Sequence, residues 1–127
     1  MNDMNKAMVV DDSRTMRTIL SRTLVEAGFE VHEEANGKDA LDYIVRHGDS
    51  VRLVLVDWKM PVMTGLEFIR AVRARPEFTR VRLLMVTTET EIEQIVCALE
   101  AGADEYLMKP FSQDTLKTKL QLLGMLE

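Results

Sequence analysis

The side chains able to do chemistry fall at one kind of place, the ends of short apolar runs. Asp11 and Asp12 follow "AMVV" (7 to 10), Asp57 closes "VRLVLVD" (51 to 57), Thr87 closes "VRLLMVT" (81 to 87) and Lys109 follows "EYLM" (105 to 108). Each has an ordinary explanation when taken alone, because Asp after a strand is commonly a turn former or a helix cap. Four strand ends equipped at once are more specific. Three carboxylates brought together repel one another, so they need a positive charge or must keep a proton. Mg2+ fits the inventory, since it takes hard oxygen ligands and often sits between carboxylates and a phosphate. A carboxylate can attack phosphorus to form an aspartyl phosphate. Phosphoryl transfer then asks mainly for positioning and for neutralisation of the phosphoryl oxygens, which the metal, the Lys109 ammonium and the Thr87 hydroxyl could supply. In this reading Asp57 is the nucleophile, and Asp11 and Asp12 hold the metal. Zinc matches less well, because His32, His47 and Cys97 form no ligand motif. Both histidines are read as structural or surface residues.

For those side chains to meet, the apolar runs must lie side by side. Together with "FEVHE" (29 to 33) they read as five strands. Between them come apolar stripes of helical spacing, Met16, Ile19, Leu20 and Leu24, then Ile92, Ile95, Val96 and Leu99, which are expected to face a sheet. Ser13 and Asn36 suit helix N-caps, and Thr64 with Glu67 and Thr90 with Glu93 have capping-box spacing. Gly28 and Gly102 suit helix ends, Pro76 bars continuation of the third helix, and a last helix is expected over 112–126. Strict alternation of strands and helices implies parallel pairing, and right-handed crossovers place helices on both faces. The expected class is a doubly wound α/β fold, in which ligands bind outside the carboxyl ends of the strands. That is where the reactive residues fall.

The chain has 127 residues, 46% hydrophobic and 29% charged, enough for one compact domain over 1–127 and too few for a second. Cys97 is the only cysteine, and neither a signal-peptide pattern nor an apolar run of membrane-spanning length is present. A cytoplasmic protein without membrane insertion is expected. The net charge of -5 argues weakly against non-specific binding to nucleic acid. Arg70, Arg73, Arg75, Arg80 and Arg82 make one stretch locally basic and are read as a solvated face. A start at Met1 and a helix running into the last residues suggest a complete chain, expected to be a monomer with no DNA-binding domain of its own.

The segments "VVDDS" (9 to 13), "DWKMP" (57 to 61) and "MVTTE" (85 to 89), with Gly65, Tyr106 and "KPF" (109 to 111), carry a resemblance across nearly the whole chain. The sequence resembles the receiver domains of bacterial two-component response regulators, most closely their single-domain chemotaxis members. The resemblance implies a flavodoxin-like, five-stranded parallel sheet of order 2-1-3-4-5 with five helices. It implies a signalling switch rather than a classical enzyme, with Asp57 accepting a phosphoryl group from a histidine kinase or a small donor such as acetyl phosphate. Mg2+ would be held by Asp12, Asp57, the Lys59 backbone carbonyl and waters, with Asp11 helping largely through a water. Lys109 and Thr87 would contact the phosphoryl oxygens, and the Lys109–Pro110 bond would be cis. Thr87, drawn to the phosphoryl group, would make room for Tyr106 to turn and would repack the face of the fourth helix, fifth strand and fifth helix for a downstream protein target. Lys59 stands where familiar chemotaxis members carry Asn. It either reaches Glu89 or the phosphoryl group and slows hydrolysis, or is a solvated lysine without a kinetic role.

Other functions meet obstacles in the same residues. A phosphatase of the haloacid dehalogenase class needs a second Asp two positions after the nucleophile, where this chain has Lys59. A flavin protein of this architecture needs a Ser/Thr/Gly-rich phosphate loop, and "DDSR" puts two negative charges there. An adaptor working without phosphorylation would not need the full set of strand-end residues.

Overall fold

The computed structural model describes residues 5–48, 50–88 and 92–126. Its elements are β1 (Lys6–Val10), α1 (Arg14–Glu26), β2 (Glu30–Glu34), α2 (Gly37–His47), β3 (Val51–Asp57), α3 (Gly65–Arg73), a 3-10 turn (Pro76–Phe78), β4 (Arg82–Thr88), α4 (Ile92–Ala101), β5 (Glu105–Lys109) and α5 (Gln113–Leu122). All strand pairs are parallel, in the order β2-β1-β3-β4-β5. This is the doubly wound α/β sheet that the alternation of elements requires. After β2 the chain crosses over β1 to β3, so the order reverses between β1 and β3, and the loops there diverge to leave a crevice.

The central strands are buried on both faces, which explains their nearly continuous apolar sequences. Successive residues belong to different clusters. Val54 and Val56 pack with Ile44 of α2, Phe68 and Val72 of α3, and Ile95 and Ala98 of α4. Leu53 and Leu55 pack with Leu20 and Leu24 of α1 and Leu116 and Leu120 of α5. Local chemistry fixes the helix starts. The Ser13 side chain accepts from Met16 N, Asn36 from Asp39 N and Thr64 from Glu67 N, and the reciprocal Glu67 bond completes a capping box. Thr90 lies outside the described residues. Gly28 (φ 100°) and Gly102 (φ 123°) take the left-handed conformation that closes α1 and α4. His32 stacks on Tyr43 with ring centroids 3.7 Å apart, and the His47 and Tyr43 centroids lie 4.4 Å apart, packing roles for both histidines. No described helix is long and apolar enough to cross a membrane.

Three expectations are corrected. The last helix stops at Leu122, because Gly124 (φ 75°) turns the chain back and Met125 N donates to Leu120 O at 2.9 Å. The α4 stripe does not face the sheet as a whole: Ile95 and Ala98 do, while Ile92, Val96 and Leu99 are 63%, 51% and 40% exposed. Ile19 of α1 is likewise exposed. Arg73 is not a solvated member of the basic stretch. Its guanidinium donates to Gly102 O, Phe78 O, Val81 O and Asp104 Oδ2, joining the end of α3 to the end of α4 and the start of β4. Arg70, Arg75, Arg80 and Arg82 are exposed.

Candidate functional site

The carboxyl ends of β1, β3 and β5 bring Asp11, Asp12, Asp57 and Lys109 together. One oxygen from each of the three carboxylates lies within 4.8 Å of the others. Asp11 and Asp57 are buried, and Asp12 is open to solvent. Lys109 Nζ donates to Asp57 Oδ1 at 3.1 Å and lies 3.6 Å from Asp11 Oδ2. The second distance makes an ion pair but exceeds a hydrogen bond, and the buried Asp11 Oδ2 has no hydrogen-bond partner among the described residues. An unsatisfied carboxylate oxygen facing two other carboxylates is the donor set a hard divalent cation prefers.

Burial dominates the electrostatics. It raises the Asp57 pKa from 3.8 to about 6; the Asp11 charge adds to the rise and Lys109 opposes it. Burial also raises Asp11, against the Ser13 backbone bond and Lys109. For Lys109 burial acts downward, yet the charges of Asp57 and Asp11 outweigh it and the pKa is raised. The lysine therefore stays charged while partly neutralising two carboxylates.

The backbone holding these groups is pinned from both sides. Asp11 N donates to Glu34 O at 3.1 Å, and Ser13 N donates to Asp11 Oδ1 at 2.8 Å. On the β3 side, Trp58 N donates to Val86 O and Gly65 N to Trp58 O, at 3.0 and 2.9 Å. A Cβ on Gly65 would lie 2.5 Å from Asp57 O, so only glycine lets the start of α3 press against the end of β3. Met63 N donates to Pro61 O at 2.7 Å across Val62, whose φ is 73°, unusual for a β-branched residue. This tight turn borders a recess of about 340 Å³ lined by Asp12, Trp58, Lys59, Met60, Pro61 and Thr64.

The other expected residues take distinct positions. Thr87 is buried near the end of β4, in register with Met108, and Thr88 is in register with Lys109. Lys59 is exposed just beyond the strand end. The Lys109–Pro110 peptide is cis. Tyr106 stands apart from the carboxylates on β5, half-buried, with Lys119 Nζ 4.0 Å from its ring centroid. Glu89 lies outside the described residues. Sequence reasoning passed over Arg17, whose guanidinium donates to Asp11 O at 2.7 Å and pairs with Glu33 at 3.2 Å. Its only sequence signal is an arginine one turn into the helix that follows the acidic pair.

A parallel sheet of this order with acidic residues at its carboxyl rim defines a class, and residues 7–121 match the family model of the response regulator receiver domain. The chain belongs to that family. It is 41% identical over 117 residues to a chemotaxis protein CheY homolog of Campylobacter jejuni, covering 91% of this chain and 89% of that one. Chemotaxis protein CheY1 of Helicobacter pylori is 39% identical over 119 residues, covering 93% and 95%. The solved structure of Vibrio cholerae chemotaxis protein CheY4 matches with a TM-score of 0.85 at 39% identity, covering 95% of this chain and 99% of that one. The chain is thus a CheY-like receiver, a signalling domain of the two-component class.

Proposed function

We propose that the chain is a single receiver domain working as a phosphorylation-dependent switch, with Asp57 accepting a phosphoryl group from a phosphohistidine of a histidine kinase or from a small acyl phosphate. The observation that supports this best is a buried Asp57 carboxylate 3.1 Å from Lys109 Nζ, inside a cluster of three carboxylates at parallel strand ends. An Asp57 oxygen attacks phosphorus, the bond to the donor's nitrogen or oxygen breaks, and its electron pair leaves with the donor, giving a mixed anhydride. Lys109 holds positive charge at the attacking carboxylate and passes it to the phosphoryl oxygens, with the Thr87 hydroxyl as a further donor. Asp12, Asp57 and the Lys59 carbonyl, with Asp11 largely through a water, would hold Mg2+. When bound there, the cation supplies positive charge against the carboxylates and the transferring oxygens.

Intact-mass measurement after incubation with acetyl phosphate and Mg2+ tests the reading. The native chain is expected to gain the mass of one phosphoryl group, and Asp57→Asn none. An equal adduct on Asp57→Asn, or none on the native chain, would sink it.

In the same reading Thr87 and Tyr106 carry the change to the face of α4, β5 and α5, where a downstream protein docks. The chain acts as a monomer in the cytoplasm, without direct contact to nucleic acid. Lys59, at the lip of the recess beside Asp12 and acting with Glu89, lengthens phosphoryl lifetime by obstructing the hydrolytic water. Lys59→Asn is expected to speed aspartyl-phosphate decay several-fold, followed by loss of the mass adduct; an unchanged rate assigns the lysine to the solvated surface.

A further inference from the structure

Tyr106 is held by two charged residues that the site chemistry does not use. β5 is an edge strand, and its side chains alternate between faces. Leu107 packs in the cluster with Leu116 and Leu120 of α5, whereas Tyr106 packs in the opposite cluster with Met85 and Ile95. Tyr106 and α5 therefore lie on opposite faces of β5. Lys119 can reach the ring only around the open edge of the sheet, and only while the ring lies over that edge. It does so, with Nζ 4.0 Å from the ring centroid. The same ammonium donates to Glu105 Oε1 at 2.9 Å, with the Lys119 and Glu105 side chains 18% and 21% exposed. The Glu105 carboxylate accepts from Tyr106 N at 3.0 Å as well. The carboxylate thus orients the ammonium, and the ammonium sits over the face of the aromatic ring, an attraction that strengthens when desolvated.

We propose that Lys119, oriented by Glu105, is a positioning residue that holds the Tyr106 ring over the edge of β5 and so opposes its turn toward Thr87. Thr87 lies on β4, on the inner side of β5. A ring turned that way leaves the ammonium, and the lost contact weighs against the switched state. By linkage, whatever disfavours the switched state also disfavours the phosphorylation that accompanies it. The inference rests on the switching proposed above for Tyr106, and its test has an arm that does not depend on phosphorylation.

Tyr43 and Tyr106 are the only tyrosines in the chain. Incorporating 3-fluorotyrosine therefore gives two fluorine resonances, with Tyr43 as an internal control. Without any phosphodonor, Lys119→Met is expected to move the Tyr106 resonance and leave that of Tyr43. Glu105→Gln should move it part of the way, and Lys119→Arg, which keeps a cation, should restore it nearly to the native position. An unmoved Tyr106 resonance in Lys119→Met overturns the proposal, as does an equal movement in Lys119→Arg. With Mg2+ and beryllofluoride, a reversibly bound phosphoryl analogue, the bound-to-free ratio of the protein at a fixed subsaturating concentration is expected to rise about two- to five-fold in Lys119→Met. A ratio equal to native overturns the regulatory role. If the native chain takes no phosphoryl group at all, the switch reading fails, and the fluorine resonances still decide whether Lys119 positions the ring.

Discussion

Arg73→Ala is expected to lower the unfolding free energy by roughly 3 kcal/mol, the scale for removing a largely buried, multiply bonded charge. The Arg73 guanidinium donates to Gly102 O at 2.9 Å, Phe78 O at 2.9 Å, Val81 O at 2.7 Å and Asp104 Oδ2 at 2.7 Å. Alanine leaves three carbonyls without this donor, and Asp104 keeps Leu83 N at 2.9 Å. It also removes the stem against which Gly102 packs, where a Cβ would lie 2.5 Å from Arg73 Cγ. Arg73→Lys should recover little, because an ammonium cannot match the planar fork that reaches four acceptors. Urea unfolding checks this: the midpoint should fall with an unchanged slope. A loss under about 1 kcal/mol would class the contacts with ordinary surface pairs.

The second large effect is a gain in stability. In the metal-free protein Asp57 has its pKa raised from 3.8 to about 6, chiefly by burial and then by the Asp11 charge. The folded chain therefore binds this proton more tightly than the unfolded chain, and stability falls as pH rises through that interval. Above it the ionised carboxylate costs roughly 2 to 3 kcal/mol relative to a neutral group. Asp57→Asn stays neutral. In chelator at about pH 7.5 it should be more stable than the native chain by roughly 2 kcal/mol, and the difference should vanish near pH 3.5. Added Mg2+ should narrow the gap from the other side, because it binds the folded native chain. Denaturant titrations across pH, with and without the cation, measure both effects. An Asp57→Asn chain no more stable than native in chelator at neutral pH would mean that burial does not penalise the ionised carboxylate.

The sequence carries most of the sheet because its signals are local. The mostly apolar run 51–57 is β3 to the residue, and a side chain at each of positions 13, 36 and 64 caps the helix that follows. The convergence of Asp11, Asp12, Asp57 and Lys109 was legible too, since parallel strands place all their carboxyl ends on one rim. What was not legible depends on partners distant in the chain. Arg73 and Asp104 are separated by 31 positions, and nothing near Arg73 distinguishes it from its exposed neighbours. The Lys119 and Glu105 pair joins a strand to the following helix around a sheet edge, which periodicity does not describe. In α4 the pattern holds two candidate faces. Ile92, Val96 and Leu99 look the more hydrophobic, yet the sheet takes the face where Ala98 allows close approach.

Neighbours in sequence along β3 belong to different clusters, Val54 to the one under α2, α3 and α4, and Leu55 to the one under α1 and α5. The backbone of the sheet is thus a partition with a separately packed chamber on each side. Truncations in opposite chambers share no partners and should sum in their energetic effects, whereas two in the same chamber should interact. Drift in the α1/α5 chamber can therefore accumulate without disturbing the packing under α2, α3 and α4, so long as Lys119, which reaches Tyr106 around the sheet edge, is kept.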